Sequence, residues 1–220
     1  MESLVVVTGG TQGLGLELVK LFSKNNKVLV IARTKREELK GVFYEYGNLS
    51  DETFIKNVYE KYSKEYSISY LINNAAAGVF GSPEINTKEN INKVFEGGLV
   101  GLILNTTYAI PMLNKNGSKI INILSTAALK GNVNESLYCA AKWGALGYTE
   151  SLKATYKGTK IKVISVCPGG MNTDFWKDNR DYVSIEKSAS WMKASDVAKT
   201  IYDNVTNNNL CVSHIVIERV

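Results

Sequence analysis

The sequence predicts an α/β, doubly wound fold, in which a seven-stranded parallel sheet carries helices on both faces. Three observations lead to this prediction. Short apolar runs rich in β-branched residues recur along the chain, segments with apolar residues spaced three and four apart separate them, and a glycine-rich turn follows the first run. Such alternation is typical of βαβ units, whose parallel strands are covered on both faces.

These patterns predict the strands and the clearest helices, which we give in chain order. The seven candidate strands are residues 4–7, 28–31, 42–46, 69–72, 119–124, 161–166 and 211–217. Helical spacing is clearest at Leu14, Leu18 and Phe22, and again over residues 136–156. Residues 169–192 show no strong period, so we expect a long loop there with room for one short helix.

Length and composition indicate a globular protein. The chain has 220 residues, of which 45% are hydrophobic and three are prolines, and we predict one domain over residues 1–220. The net charge is +5, but basic and acidic residues are interleaved, which argues against a nucleic-acid partner. No apolar stretch reaches the roughly 20 residues that a bilayer requires, and from the first residues we expect no secretory signal. We expect a cytoplasmic protein with no membrane contact.

The sequence has too few cysteine and histidine residues for a disulfide framework, a zinc site or a hydrolase with a histidine base. Cys139, Cys167 and Cys211 lie far apart, which argues against disulfides and zinc, and we expect them to be buried thiols. His214 is the only histidine and lies in the last apolar run. We therefore expect no metal site and no hydrolase built on a histidine base.

The glycine-rich turn between the first strand and the first helix carries the strongest functional signal. Residues 8–15 read TGGTQGLG, and backbone N–H groups at such a helix N-terminus bind the pyrophosphate of a dinucleotide. Gly9 would form the turn, Gly13 would let the backbone approach the ligand, and Gly15 would let the helix pack closely on the strand. The predicted cofactor contacts in this turn are Gly9, Thr11, Gln12, Gly13, Leu14 and Gly15.

The Gly-x-x-x-Gly-x-Gly spacing resembles that of the short-chain dehydrogenase/reductase family, and the resemblance covers nearly the whole chain. Further motifs carry it, in the family's order: Asn73-Asn74-Ala75, Ser125, Tyr138-Cys139-Ala140-Ala141-Lys142, and Pro168-Gly169 with Thr173. The resemblance implies a Rossmann-like sheet with strand order 3-2-1-4-5-6-7 and hydride transfer between a nicotinamide cofactor and a carbonyl or alcohol. It also implies cofactor contacts at Asn48, Leu49, Asn74, Ala75, Tyr138, Lys142, Pro168, Gly169, Met171 and Thr173.

The residues after the second strand favour NADP(H). A protein that binds NAD would place a carboxylate there, whereas this chain has Ala32 followed by Arg33, with Lys35 and Arg36 close behind. These cations suit a 2′-phosphate, and we expect Arg33 to contact it. The two glutamates that follow weaken the positive field, so a solvated surface cluster is the alternative.

A Tyr and a Lys four residues apart form the predicted reacting centre. Tyr138 and Lys142 lie within the helical pattern of residues 136–156, on one face of the helix. The resemblance implies that Tyr138 exchanges a proton with the substrate oxygen, and that Lys142 lowers the pKa of the phenol and binds the nicotinamide ribose. Ser125 would position the carbonyl; its alternative is a turn-forming hydroxyl.

A second Tyr–Lys pair has the same spacing in the wrong context. Tyr156 and Lys160 are separated by Gly158 and are followed directly by a predicted strand. Their side chains therefore should not share a helix face. A surface pair is also the alternative for Tyr138 and Lys142.

Two positions depart from the family pattern. Gly98 stands where the family has an Asn that completes a proton relay, and Ala76 stands where it has a glycine, although Gly78 would supply a shifted turn. Adjacent glycines in a helix cost about 1 kcal/mol each. A dinucleotide-binding sensor or scaffold with little or no turnover is therefore the competing function, and an isomerase or epimerase is a third.

Aromatic residues are expected at the carboxyl ends of the strands, where doubly wound sheets bind ligands. Phe80, Phe175 and Trp176, together with Ser125, are the predicted substrate contacts, and they favour an apolar or aromatic carbonyl compound of small to medium size. The alternative is that these rings only anchor a loop. The helices that relatives use for assembly, around residues 94–113 and 136–156, predict a homodimer or homotetramer.

Overall fold

Seven parallel strands form the main sheet. In this computed structural model, which describes residues 1–36, 38–179, 181–207 and 209–220, the strand order is β3-β2-β1-β4-β5-β6-β9. The strands are β1 Glu2–Thr8, β2 Lys27–Ala32, β3 Val42–Tyr46, β4 Tyr66–Asn73, β5 Ser118–Ile123, β6 Ile161–Pro168 and β9 His214–Ile217. The predicted number of strands and their order are confirmed, with β9 as the seventh strand. The short strands β7 Met171–Asn172 and β8 Met192–Lys193 pair separately.

Helices cover both faces of the sheet, as predicted. One face carries α1 Gly13–Phe22 and α7 Ala194–Val205; the other carries α2 Glu52–Tyr62, α4 Gly101–Ala109 and α5 Ser136–Thr155. Two further helices, α3 Lys88–Phe95 and α6 Ile185–Ala189, lie outside these layers of the core. None of the helices in the described part of the chain is long and apolar enough to cross a bilayer.

The central strand shows why both faces of the sheet are buried. Leu4 and Val6 of β1 pack in the cluster that includes α2, whereas Val5 and Val7 pack in the cluster that includes α1 and α7. All four side chains are fully buried. Because neither face meets water, the strand is one unbroken apolar run instead of an alternating one.

The helical stretch before β5 is interrupted by a π-helical turn. Residues Glu96–Val100 form this turn between α3 and α4, and Gly97 and Gly98 lie within it. Helical π turns are rare and occur often at functional sites. The predicted long helix is therefore present in two parts with an irregular turn between them.

The region after β6 is more ordered than the sequence indicates. Residues 169–192 contain β7, a 3-10 helix over Asp174–Asn179 and the helix α6. The expected short helix is thus present, together with a second helical turn. We call residues 171–179, which contain β7 and the 3-10 helix, the strap.

The cysteines differ in burial. Cys167 is buried and Cys139 is partly exposed, but Cys211 is exposed, so the prediction of buried thiols is wrong for Cys211. The reason is that β9 begins later than predicted: its pairing with β6 starts at His214, opposite Ser165, and leaves Cys211 outside the sheet.

Candidate active site

A cavity of about 1320 Å³ opens at the carboxyl ends of the strands. It extends from the glycine-rich turn to the N-terminal part of α5. Nearly all predicted cofactor contacts line it: Gly9, Thr11, Gln12, Gly13, Leu14, Arg33, Asn48, Leu49, Asn74, Ala75, Tyr138, Lys142, Pro168, Gly169, Met171 and Thr173. Residues from distant parts of the sequence therefore form one site. Within the described residues, no group of three or more His, Cys, Asp and Glu side chains could hold a metal ion.

The glycine-rich turn has the backbone that a phosphate site requires. Gly9 and Gly13 have φ values of +65° and +52°, a region that residues with side chains rarely adopt. Gln12 is the N-cap of α1, and its side chain makes no capping hydrogen bond. The first N–H groups of α1 therefore have no side-chain cap, and no acidic residue lies in the first turn to repel an anion. These features fit a dinucleotide pyrophosphate.

Gly15 has a packing role. It is buried and does not line the cavity. A Cβ atom at this position would collide with the carbonyl oxygen of Gly9 and the amide of Asn74. The structure therefore places Gly15 behind the phosphate turn, where it allows the close approach of helix and strand, and not among the cavity walls.

The turn after β4 fixes the position of the glycine-rich turn. The hydroxyl of Thr8 accepts hydrogen bonds from the backbone N–H groups of Asn74 and Ala75, at 3.0 and 3.1 Å. The Asn74 side chain donates to the carbonyl oxygens of Thr8 and Gly9, at 3.1 and 3.3 Å. Asn74 and Ala75 thus bind the cofactor turn to the neighbouring strand.

The cation cluster after β2 separates into different roles. Arg33 lines the cavity and forms no ion pair with any described residue. Lys35 lies 3.7 Å from the carboxylate of Glu38, and Arg36 lies 3.2 Å from that of Asp174 in the strap. Arg33 is therefore the member of the cluster that is available to a ligand in the cavity.

At the other end of the cavity, Lys142 is almost fully buried, at 3% exposure, beside Tyr138. Its Nζ atom donates to the carbonyl oxygen of Ile123 at 3.1 Å and lies 5.6 Å from the centre of the Tyr138 ring. Burial lowers the pKa of Lys142 from its ordinary 10.5 to about 8. Only one of the three ammonium protons has a described partner, which leaves donors for a ribose.

Tyr138 projects from the first turn of α5 into an aromatic environment. Its ring lies 5.2 Å from that of Phe80 and 5.9 Å from that of Phe175. This burial raises the pKa of the phenol, and polar contact with the side chain of Ser125 acts in the opposite direction. The structure brings Ser125, Tyr138 and Lys142 to the same cavity as the glycine-rich turn.

Ser125 both caps a turn and lines the cavity. Its Oγ atom accepts a hydrogen bond from the backbone N–H of Ala127 at 3.1 Å and so caps the 3-10 helix that follows β5. The same hydroxyl lines the cavity and keeps its proton for another partner. The second Tyr–Lys pair is excluded, as predicted: α5 ends at Thr155 and Gly158 has a φ of +80°.

The glycine turn predicted at Gly78 is absent, and this correction has a physical reason. Gly78 does not have a positive φ. A Cβ atom there would lie 2.5 Å from the ring of Phe80 and 2.9 Å from that of Phe175, so Gly78 makes room for two aromatic rings. Phe80 itself is buried behind the cavity and does not line it, in contrast to Phe175 and Trp176, which do.

Several cavity residues were missed in the sequence. The cavity is also lined by Asn132, Glu135, Tyr182 and Arg219. Glu135 carried a usable signal, since it lies three residues before Tyr138 at the start of the same helix. Tyr182 and Arg219 carried none, because only the folded chain brings them to the cavity.

A network of buried hydrogen bonds connects strands and helices that carry the site. Asn73 donates to Thr106 and to Asn122, at 2.9 and 2.8 Å, and accepts from Asn105 at 2.7 Å. Tyr59 donates to Asn105 at 2.7 Å. Every one of these side chains is buried, so the network fixes β4 and β5 relative to α2 and α4.

Comparison with known proteins identifies the family. The family model for short chain dehydrogenase matches residues 3–183. The chain belongs to the short-chain dehydrogenase family. An uncharacterized oxidoreductase of Thermotoga maritima is 33% identical over 187 residues, which cover 79% of this chain and 73% of the relative. A 3-oxoacyl-[acyl-carrier-protein] reductase of Rattus norvegicus is 29% identical over 188 residues, 80% of this chain and 79% of the relative.

Several solved structures share the fold over nearly the whole chain. One from Vibrio parahaemolyticus has a TM-score of 0.86 and 29% identity and covers 99% of each chain. Serine dehydrogenase complexed with NADP⁺ has a TM-score of 0.88 and 22% identity over 97% of this chain and 94% of that one. A protein from Burkholderia phymatum in complex with NAD has a TM-score of 0.86 and 16% identity over 98% and 88%. The family match and the similarity to oxidoreductases such as the one from Thermotoga maritima favour an oxidoreductase over a scaffold without turnover.

Proposed function

We propose that this short-chain dehydrogenase is an NADP(H)-dependent oxidoreductase that interconverts a carbonyl compound and an alcohol, with residues 1–220 forming one domain. A single observation carries the proposal: Ser125, Tyr138 and Lys142 line the same cavity as the glycine-rich turn. A cofactor on that turn would reach the reacting side chains.

The residues of the chain have distinct roles in this proposal. When bound, the nicotinamide supplies the hydride for reduction and accepts it for oxidation. Ser125 holds the substrate oxygen, and Tyr138 donates its phenolic proton to that oxygen as the carbonyl is reduced. Lys142 binds the ribose and stabilises the phenolate that remains.

The electrostatics suit the direction of reduction. Burial raises the pKa of Tyr138 and so keeps the phenol protonated, as a proton donor must be. For oxidation the phenol must lose its proton, and the nearby ammonium group of Lys142 favours that state while it stays charged. The similarity to a 3-oxoacyl-[acyl-carrier-protein] reductase also supports carbonyl reduction.

Arg33 supports the choice of NADP(H). It lines the cavity without an ion pair to a described residue, whereas Lys35 and Arg36 are each engaged by a carboxylate. A guanidinium group binds a phosphate with two parallel hydrogen bonds, and Ala32 precedes it where a carboxylate would select NAD. The NADP⁺ complex of serine dehydrogenase shows that the fold accepts this cofactor.

We further propose that the enzyme forms a homo-oligomer. The apolar side chains of Val100 and Trp143 are 38% and 51% exposed on the helical segments that relatives use for assembly, which supports a homodimer or homotetramer. A small-molecule substrate and a cytoplasmic location stay predictions from the sequence.

The first test is the substitution Tyr138→Phe. We expect NADPH-dependent reduction of a panel of aldehydes and ketones to fall by a factor of about 10² to 10⁴, because the proton donor is lost. The affinity for NADPH should change little, since the ring remains. Stopped-flow assays and calorimetric titration measure the two effects.

Tyr156→Phe is the matched control, because Tyr156 belongs to the excluded pair and does not line the cavity. It should retain full activity. If Tyr138→Phe also retained full activity, the proposed proton transfer would be wrong. If the wild-type protein bound NADPH but reduced no compound of the panel, the sensor function would replace it.

A further inference from the structure

A carboxylate is held on the substrate side of the cavity. Glu135 precedes α5 directly and lines the cavity near Tyr138. Its Oε2 atom accepts a hydrogen bond from the side-chain amide of Asn132 at 2.9 Å, and its Oε1 atom accepts one from the hydroxyl of Tyr182 at 3.1 Å. Two side chains from different segments thus fix its orientation.

The side chain of Glu135 does not cap the helix. Glu135 occupies the N-cap position of α5, but its carboxylate makes no capping hydrogen bond. Tyr182 has a single hydroxyl proton and also contacts the carbonyl oxygen of Val133 at 3.0 Å, so it satisfies Glu135 only in part. A carboxylate has about four acceptor sites, and the described residues occupy at most two of them.

The charge of Glu135 is not neutralised within the described residues. Lys130 lines the same part of the cavity but forms no ion pair with it there. Arg219 also lines the cavity without a described ion pair to Glu135, and three of the walls are aromatic: Phe175, Trp176 and Tyr182. A carboxylate that is oriented, incompletely satisfied and set among aromatic faces is a good acceptor for a ligand with N–H or O–H groups.

Glu135 lies close to the reacting phenol. The ring of Tyr182 stacks on Phe80 at 5.2 Å with an angle of 8°, and Phe80 lies 5.2 Å from Tyr138. After burial, which is the main cause, the charge of Glu135 further raises the pKa of Tyr138. One substrate molecule would therefore contact Glu135 with one group and place its carbonyl at Tyr138.

We infer that Glu135 recognises a hydrogen-bond donor on the substrate, so that the substrate is an aldehyde or ketone bearing a hydroxyl or ammonium group. This inference rests on the proposed function for the reacting end of the substrate. Anionic substrates such as free keto acids are disfavoured, because their carboxylate would meet that of Glu135.

The test uses ketones of the form CH₃–CO–(CH₂)n–X, in which n is one or two and X is a hydroxyl, ammonium, methyl or carboxylate group. Binding to the protein saturated with NADP⁺ is measured by calorimetry, and kcat/KM by NADPH oxidation. We expect the wild-type protein to prefer hydroxyl or ammonium over methyl by about tenfold or more, with carboxylate the poorest.

Two variants separate the kinds of donor. Glu135→Gln keeps an acceptor without the charge, so a preference for ammonium should disappear while a preference for hydroxyl is partly retained. Glu135→Met removes both preferences and improves the carboxylate compound relative to the others. Asp178→Asn is the control, because it removes one negative charge from the strap without changing a cavity residue.

The outcomes distinguish this inference from the proposed function. If the wild-type protein showed equal affinity and equal kcat/KM for the hydroxyl, ammonium and methyl compounds, the inference would be overturned. The same holds if Glu135→Met lowered kcat/KM by the same factor for every compound. Binding that depends on Glu135 without any turnover would support the inference and contradict the proposed function. Failure of both donor compounds to bind would overturn the inference.

Discussion

At the scale of the residue, burial disfavours the charged form of the Lys142 side chain. Its pKa is lowered from 10.5 to about 8 by burial. Between those two values the unfolded chain binds more protons than the folded one, so the contribution of Lys142 to the free energy of unfolding rises with pH across that window. Below pH 8 its charge destabilises the fold.

Lys142→Met tests this directly. We expect a gain of up to about 3 kcal/mol in the free energy of unfolding at pH 7 and the loss of the rise between pH 8 and 10, together with loss of activity. Urea unfolding at pH 7 and pH 9.5 measures the difference. Lys160→Met, at an exposed position, should change neither quantity. An unchanged pH dependence in Lys142→Met would contradict the assignment.

At the scale of the element, the π-helical turn places two glycines in different surroundings. A Cβ atom at Gly98 would meet only the Cβ of Ala141, at 3.9 Å, whereas one at Gly97 would lie 2.8 Å from the Cβ of Ala77. The position of the family Asn therefore has room for a Cβ atom in this protein. The neighbouring Gly97 has no such room, because its Cβ atom would collide with Ala77.

Gly98→Asn is expected to fold with unchanged or slightly higher stability and to raise kcat severalfold, because an Asn there would restore the proton relay that the family resemblance implies. Gly97→Asn should instead lower the melting temperature. Thermal unfolding and steady-state kinetics measure both effects. A Gly98→Asn variant that melted as early as Gly97→Asn would refute the steric argument, and an unchanged kcat would show that the relay does not limit turnover.

At the scale of the whole molecule, assembly should bury the exposed apolar residues of the long helices. Light scattering at micromolar concentration should give two or four times the chain mass of 24.3 kDa. Trp143→Glu should shift the protein to the monomer, because a charge replaces a ring that is 51% exposed on α5. Val133→Glu, at an exposed site outside these helices, is the control. A monomeric wild-type protein would contradict the proposed assembly.

The sequence predicted the sheet and most of the residues that line the cavity around the glycine-rich turn, because both depend on short local patterns. Strand order follows from alternating strands and helices, and the walls around Gly9, Asn74 and Tyr138 follow from motifs a few residues long. The sequence could not show that Tyr182 contacts Glu135, because the two lie 47 residues apart and meet only through folding. Phe80 was misplaced because the space that Gly78 leaves for its ring is a property of packing.

The central claim is that the cavity binds NADP(H) through the glycine-rich turn and Arg33. Calorimetric titration of the folded protein, freed of retained cofactor, with NADPH and then NADH tests it most directly. We expect NADPH to bind at least about tenfold more tightly, and Arg33→Ala to remove most of that difference. Equal affinities would contradict the role of Arg33, and failure of both cofactors to bind would contradict the oxidoreductase function itself.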